Sequence, residues 1–285
     1  MIILKHVDQG TIYYGFRSEK YPEVPCYSVI ISARCDIANE KISKLYYLTA
    51  VDAHEWFCTS NGFFCAFDSH IASCRQNLKE KVESYGINAE VLEKFDEQNA
   101  KIVLTSHLQG KDLEKALLEY DSLYSLIRPD MDYNTRKTML RDFDHKKKKK
   151  IISNFLCDIS SGRKNHYHFI PRLAYSDTIE KTKGLIVDLQ EIGILSLDEA
   201  KLIDSPGIDY QALLSNPRIK RKSKEFSERF WLETEEDYVY KEGQLQSPWC
   251  ELLLQRFAMD FIRIGVDGAS KPDFENLAAN VGKEK

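Results

Sequence analysis

The sequence lacks the motifs that mark several large classes of enzyme. It contains no phosphate-binding P-loop, no Gly-x-Gly-x-x-Gly after a strand, no His-Glu-x-x-His and no Gly-x-Ser-x-Gly. Nucleotide hydrolysis, dinucleotide chemistry, zinc proteolysis and the common serine-hydrolase arrangement are therefore unsupported, and we expect no cofactor.

Paired cysteines and long apolar runs are also missing. The seven cysteines are scattered along the chain without a Cys-x-x-Cys pair, which predicts free thiols rather than a disulfide framework or a metal site. The first apolar run, Met1–Leu4, is too short for a signal-peptide core, and no stretch approaches the ~18–20 apolar residues of a membrane span. We expect a cytoplasmic protein with no membrane partner.

The chain has little excess charge of either sign. Among its 285 residues, 40 lysines and arginines stand against 44 aspartates and glutamates, which gives a formal net charge of −4. This charge provides no general attraction to nucleic acid or to an anionic membrane, so such binding would depend on a local patch. A hydrophobic share of 43% with 29% charged residues is typical of a folded, water-soluble protein.

Short β-branched and aromatic runs dominate the first 66 residues. They predict strands at Thr11–Phe16, Tyr27–Ala33 and Lys44–Val51, and Gly62–Phe67 is a candidate fourth strand. A polar link with two prolines separates the first predicted strand from the second and ends strand pairing on either side. This section predicts a small β-structure.

The middle of the chain changes to helical spacing. Ser69 is expected to cap a first helix, and Asn134 a longer helix that includes His145–Lys150. These segments predict a helical insertion, after which β character returns.

The returning β segments are His166–Leu173 and Gly184–Leu195, followed by a short helix at Leu197–Leu202. The last third is helical and irregular. Ser247-Pro248 opens its clearest helix, because serine is a good N-cap and proline fits the first helical position.

Read in order, the β segments resemble the MazF/PemK toxin family. The matching stretches are Gly10–Phe16, Tyr27–Ser32, Lys44–Val51 and Gly184–Leu202, and the closest local likeness is GLIVDLQEIGILSLDEAKLI. The resemblance covers about a third of the chain and implies an SH3-like β-barrel and a link to ribonuclease toxins.

The resemblance does not extend to the family's catalytic pair. The ribonuclease activity of the family depends on an arginine that enters the second strand and a threonine or serine that leaves the third. The matching positions here are Cys26 and Val51. The resemblance therefore implies the shape of the barrel without its known active site.

Together these patterns predict an α+β protein. A small SH3-like barrel is expected from residues 1–66 and 164–202, interrupted by a helical insertion at 67–163. A helical C-terminal region is expected at 203–285.

Arg34, Cys35 and Asp36 interrupt the β signal after the second strand, at the rim of the predicted barrel. With Asn39 they are candidates for binding a ligand or a partner. Cys35 is also a candidate nucleophile, since a nearby arginine lowers a thiol pKa. The third interpretation is structural: Asp36 caps the loop before Asn39 and Cys35 is merely packed.

His166 and His168 are two residues apart and share one face of a strand. Such a pair can ligate a metal with Asp188 or Cys35, or form a Cys–His catalytic pair. No third ligand has a diagnostic spacing, so we favour two histidines on a solvent-facing strand and expect no metal.

Two basic clusters are weak candidates for nucleic-acid binding. The first is a block of five lysines: Lys146, Lys147, Lys148, Lys149 and Lys150. Five consecutive helical positions cover all sides, which is more typical of a solvated helix end. The second, Arg218–Lys224, is followed by acidic residues that neutralise it.

The final helix has an apolar stripe of Trp249, Leu253, Phe257 and Phe261. Aromatic anchors dominate many protein interfaces, so the stripe is a candidate partner surface. Packing on the barrel or on the inserted helices is the interpretation that we favour.

The function expected from these features is that of a non-enzymatic binding or regulatory component of a bacterial or phage-related toxin- or defence-type system. The barrel rim around Arg34 would recognise a ligand or, as the favoured class of partner, another protein. The alternative is a toxin-like endoribonuclease or RNA-binding protein with a non-standard site, in which Arg34 and Asp36 converge with His166 or His168.

Overall fold

The computed structural model describes residues 7–128, 130–175, 184–204, 207–215 and 223–262. Within these ranges the protein has mixed α/β structure, which confirms the predicted class. The strands are β1 Thr11–Phe16, β2 Cys26–Ile30, β3 Lys44–Asp52, β4 Tyr167–Pro171, β5 Gly184–Ser196, β6 Ile208–Asp209 and β7 Tyr238–Gln244.

The helices fall into three groups. A single turn, α1 Arg34–Ala38, follows β2. The insertion between β3 and β4 contains α2 Ala53–Trp56, α3 Ser60–Glu83, α4 Ala89–Lys94, α5 Glu97–His107, α6 Gly110–Ile127, α7 Tyr133–Asp142 and α8 His145–Ser160. The C-terminal part contains α9 Leu197–Asp204, α10 Tyr210–Ser215, α11 Ser223–Arg229 and α12 Trp249–Ile262.

The strands form one antiparallel sheet in the order β4-β5-β3-β2-β1-β7-β6, with β4 and β6 at its edges. Successive residues of a strand point to opposite faces, and each face has its own core. Tyr13 and Ile30 belong to the core shared with the insertion and α9, whereas Ile12 and Val29 belong to the core beneath α12. The sheet is thus packed on both faces.

The helical insertion begins earlier than predicted, and the candidate strand Gly62–Phe67 is wrong. Thr59 caps α3, since its hydroxyl oxygen accepts from the Gly62 N–H at 3.1 Å. Phe63 and Phe67, one helical turn apart, then bury the same face with stacked rings. A Cβ at position 62 would lie 1.8 Å from the Trp56 carbonyl oxygen, so the close approach of α2 and α3 requires glycine there.

The long helix expected from Asn134 is two helices. Asp132 caps α7 by accepting from the Thr135 N–H, and Asp144 caps α8 by accepting from the Lys147 N–H. Asp and Asn are comparable N-caps, so the sequence alone did not separate these starts. No helix within the described ranges is long and apolar enough to cross a bilayer.

The predicted strands at His166–Leu173 and Gly184–Leu195 and the helix after them are confirmed as β4, β5 and α9. The expectation of a helical, irregular region at 203–285 misses β7, which pairs with β1 and lies inside the sheet. Its sequence, YVYKEGQ, carries a glycine and two charges, which weaken the strand signal.

Candidate functional site

The predicted rim residues lie on the short helix α1, directly after β2. The side chain of Asn39 donates a hydrogen bond from Nδ2 to the Cys35 carbonyl oxygen at 2.6 Å and so closes the turn. Asp36 accepts a hydrogen bond from Cys35 Sγ at 3.6 Å. Asn39, rather than Asp36, therefore makes the side-chain to backbone contact that holds this turn.

The polar side chains on and after α1 are accessible to solvent, whereas Ile37 is buried. The Arg34 side chain has 64% of its surface exposed, and its Nε lies 3.1 Å from Asp8 Oδ2. Cys35 and Asn39 are exposed as well, and Asp36 is half-buried. Four polar or reactive side chains are thus accessible at one end of the sheet.

An apolar patch lies at the same end of the sheet. Tyr46 is 49% exposed, and Ile192 and Ile194 are each 44% exposed. Tyr46 stands opposite Ile194 in the register of β3 and β5, so the two side chains share a face. The Tyr46 N–H donates to Ser32 Oγ at 2.7 Å, which places the patch beside the segment that leads into α1.

We call these two features together the rim surface: Arg34, Cys35, Asp36, Asn39, Tyr46, Ile192 and Ile194. The polar half was predicted from the sequence, and the apolar half was not. In the sequence, Tyr46 and Ile194 occur in strands with the same apolar pattern as core residues. Whether their side chains are exposed depends on which part of the sheet α12 covers.

The two histidines have different environments. His166 is exposed, and its Nδ1 lies 3.3 Å from Asp260 Oδ1 on α12. His168 is buried, and its Nε2 has no hydrogen-bond partner among the described residues. Burial, and then the positive charge of Arg256, lower the pKa of His168 to about 4, so it is neutral near pH 7. The expectation of two solvent-facing histidines therefore fails for His168.

The rim and the histidines lie at opposite ends of α12. Cys250, at its start, packs against Gly10, where an added Cβ would lie 3.1 Å from Sγ. The Gly10 N–H in turn bonds the carbonyl oxygen of Ile30, four residues before α1. Asp260, which contacts His166, is ten residues further along α12, about 15 Å at the rise of an α-helix.

The structure also separates Asp188 from the histidines. Asp188 stands opposite Tyr167 in the register of β4 and β5, and so on the face opposite to His168. It contacts Tyr21 and Lys20 instead. Within the described ranges, no three His, Cys, Asp or Glu side chains are grouped to hold a metal ion.

The lysine block forms the first turns of α8 and is largely exposed. Lys148 donates from Nζ to the Leu140 carbonyl oxygen. Binding of nucleic acid by these lysines stays a prediction. Of the second basic cluster, residues 218–222 lie outside the described residues.

The stripe of the final helix packs on the sheet, as favoured from the sequence. Leu253 is 1% exposed, and Trp249 and Phe257 pack against the same core. The side chain of Phe261 lies outside the description. The face of α12 with Leu252 and Met259 is the more exposed one.

Comparison with known proteins finds no matching family model, no matching curated protein and no matching solved structure. Cys26 and Val51, which the sequence resemblance placed at the positions of the MazF/PemK catalytic pair, are both fully buried in the core under the insertion.

Proposed function

We propose that this protein is a non-enzymatic binding or regulatory component of a bacterial or phage-related toxin- or defence-type system. Its sheet serves as an SH3-like barrel similar to that of MazF/PemK toxins, and the rim surface recognises a protein partner. The observation that carries the proposal is the exposed patch of Tyr46, Ile192 and Ile194 next to the charged side chains of α1.

The composition of the rim surface supports a protein partner. Three large apolar side chains that meet water at adjacent positions gain free energy when another surface covers them. Arg34 and Asp36 at the edge of the patch provide the polar border that protein interfaces have around an apolar centre. Arg34 already forms an exposed pair with Asp8, which a partner carboxylate can replace at little cost.

The separation of the candidate catalytic groups supports binding over catalysis. General acid–base cleavage of RNA needs its acid and base within hydrogen-bond reach of one substrate pose. The contact of His166 with α12 lies about 15 Å along the helix from the rim end. The Cys26 thiol, which burial keeps protonated, and the Val51 side chain provide neither a positive charge nor a hydroxyl at the positions that resemble the catalytic pair of the family.

Site-specific photocrosslinking in the cells that the protein comes from tests this proposal. A photoreactive amino acid at Tyr46 is expected to give one discrete protein adduct, and the same group at Leu118, an exposed apolar position on α6, is not. Ile194→Lys in the Tyr46-labelled protein should abolish the adduct, because a charge is costly to bury in the patch.

Two results would overturn the proposal. One is the same set of adducts from Tyr46 and Leu118, which indicates nonspecific contact. The other is RNA degradation by the pure protein that disappears in Asp36→Ala and His168→Ala, which establishes the endoribonuclease instead.

A further inference from the structure

A second surface, separate from the rim surface, lies at the other end of β2 and β3. It is an open cavity of about 820 Å³ between the sheet and the start of the insertion. Its apolar wall includes Tyr14, Tyr27 and Tyr133 with Val24 and Pro25. We call it the tyrosine cavity. Its volume is within the range of small-molecule sites.

The tyrosines form a preformed aromatic wall. Tyr14 pairs with Tyr27 on β2 and with Tyr240 on β7 in the sheet register. The ring centroids are 4.9 Å apart in the first pair and 5.4 Å in the second. Because three hydrogen-bonded strands hold these rings, a ligand meets an aromatic surface that needs little reorganisation.

Carboxylates outnumber cations around this wall, where Arg172 is the one arginine or lysine among the described lining residues. Glu23, Asp52 and Glu55 line the cavity, and Glu242 lies close enough to raise the pKa of Tyr240, after burial, to about 12. Burial also raises the pKa of Tyr14 and that of Tyr27, so these hydroxyls are neutral near pH 7, and the wall places aromatic rings beside carboxylates. Ring faces attract cations through their quadrupole.

Three of the four carboxylates have a cationic partner. Glu23 pairs with Arg136, Glu55 with Lys137 and Glu242 with Arg172. These four carboxylates and three cations leave one net negative charge.

Asp52 carries that remaining charge. Its Oδ1 accepts hydrogen bonds from the backbone N–H groups of His54 and Glu55 at the start of α2, and it forms no ion pair within the part of the chain that the structure describes. In addition, Glu23 Oε2 is buried without a hydrogen-bond partner there. The cavity thus offers two carboxylate oxygens for a donor that the protein does not supply.

We propose that the tyrosine cavity binds an alkylammonium group, with Asp52 as its counter-ion and Tyr14 and Tyr27 as its cation–π surface. The group belongs either to a small free polyamine or to a lysine side chain of a peptide. No covalent step is involved. This site is independent of the proposed partner at the rim surface.

Calorimetric titration of the whole protein distinguishes these two sources. The probes are putrescine for a free amine and N-acetyl-lysine methylamide for a peptide side chain. The neutral N-acetyl-norleucine methylamide has nearly the same shape without the charge, and adenosine monophosphate is an anionic aromatic probe. Saturable binding of at least one amine is expected, at least about tenfold tighter than that of the norleucine analogue, because a charge-assisted hydrogen bond is worth this much.

Two variants assign the binding to the cavity. Asp52→Asn keeps the helix cap, since asparagine is an equally good N-cap, and should weaken amine binding about tenfold. Tyr27→Leu should weaken it roughly fivefold through the lost ring face. Asp142→Asn, an exposed carboxylate paired with Arg141, is the matched control and should bind as the parent does.

The proposal is overturned if neither amine binds saturably, or if the norleucine analogue binds as well as the lysine analogue. Equal amine affinity in Asp52→Asn and the parent also overturns it. So does tighter binding of adenosine monophosphate that improves in Asp52→Asn, because the cavity would then be an anion or nucleotide site.

Discussion

The Tyr21 hydroxyl donates a hydrogen bond to Asp188 Oδ2 at 2.7 Å, and both side chains are buried. Lys20 Nζ lies 2.5 Å from the same carboxylate oxygen. The Gln190 N–H donates to Oδ1 at 3.0 Å. One carboxylate on β5 therefore anchors the link between β1 and β2, which carries no regular structure of its own.

Removal of this carboxylate should destabilise the fold. Asp188→Ala leaves the Tyr21 hydroxyl buried without its acceptor and the Lys20 ammonium without its counter-ion, so we expect a loss of about 3 kcal/mol in the free energy of unfolding. Urea unfolding followed by tryptophan fluorescence measures it. Glu233→Ala, which breaks an exposed pair with Arg17, should change stability by less than about 0.5 kcal/mol. Similar losses in both variants would contradict the anchoring role.

A buried arginine connects segments of the insertion with each other and with the link between β1 and β2. Arg136 on α7 is 3% exposed; it donates to the carbonyl oxygens of Cys58 and Met131 and to Glu23 Oε1. Arg136→Met keeps the length of the side chain but removes all three bonds, so we expect a loss of about 3 kcal/mol.

Hydrogen exchange locates this effect. Faster exchange of the α7 amides in Arg136→Met is the expected result, since their local unfolding free energy falls. The control is Arg141→Met, on the same helix but exposed beside Asp142, and its exchange should match that of the parent. Unchanged α7 exchange in Arg136→Met would show that other contacts hold α7 in place.

Much of the sheet could be predicted from the sequence because its strands are β-branched and aromatic. The runs TIYYGF and CYSVI are rich in residues with high β propensity, and both form strands in the folded protein. Gly62–Phe67 has the same composition but forms a helix, since Thr59 caps it and the insertion buries its phenylalanines. Short aromatic runs have no period of their own, so neighbouring caps and packing decide their state.

Of the two candidate sites, only the polar half of the rim surface could be predicted from the sequence. Arg34 and Asp36 stand out because charged residues are costly in a buried strand. The exposure of Tyr46 follows from the position of α12, more than 200 residues away in sequence. The tyrosine cavity depends on β7, whose register brings Tyr240 beside Tyr14. No local pattern contains such long-range information.

The packing of α12 on the sheet can be measured with two neighbouring leucines. Leu253 is 1% exposed and Leu252 is 36% exposed. Leu253→Ala should cost about 3 kcal/mol because it leaves a cavity in the core beneath α12, whereas Leu252→Ala should cost less than about 1 kcal/mol. If chemical denaturation gave the same loss of unfolding free energy for both variants, α12 would not pack on the sheet through the face that carries Leu253.

Thiol labelling separates a passive Cys35 from an activated one. Cys35 and Cys157 are both exposed, so a maleimide should label them at comparable rates in the native protein near neutral pH. Cys26 is buried, and burial followed by the charge of Glu191 raises its pKa to about 12, so it should react only after unfolding. Mass spectrometry of labelled peptides gives the three rates. If Cys35 reacts a hundredfold or so faster than Cys157, it is an activated nucleophile, and the non-enzymatic proposal loses its basis.

The buried His168 should make stability depend on pH. Its pKa is lowered to about 4 in the folded protein, chiefly by burial, against about 6.5 in an unfolded chain. At a pH between these two pKa values, the imidazole of residue 168 binds a proton in the unfolded chain but not in the folded protein. The stabilisation from neutral His168 is therefore complete above about pH 6.5 and is lost as the pH falls toward 4, by up to about 3 kcal/mol.

Urea unfolding of the parent and of His168→Gln at about pH 7, 6 and 5 tests this linkage. The difference in unfolding free energy between the two proteins should shrink as the pH falls, because the variant has no imidazole to protonate. His166→Gln removes an exposed imidazole beside Asp260 and should leave the steep dependence in place. Parallel pH curves for the parent and His168→Gln would show that His168 titrates alike in the folded and unfolded chains, and would contradict its burial in the neutral form.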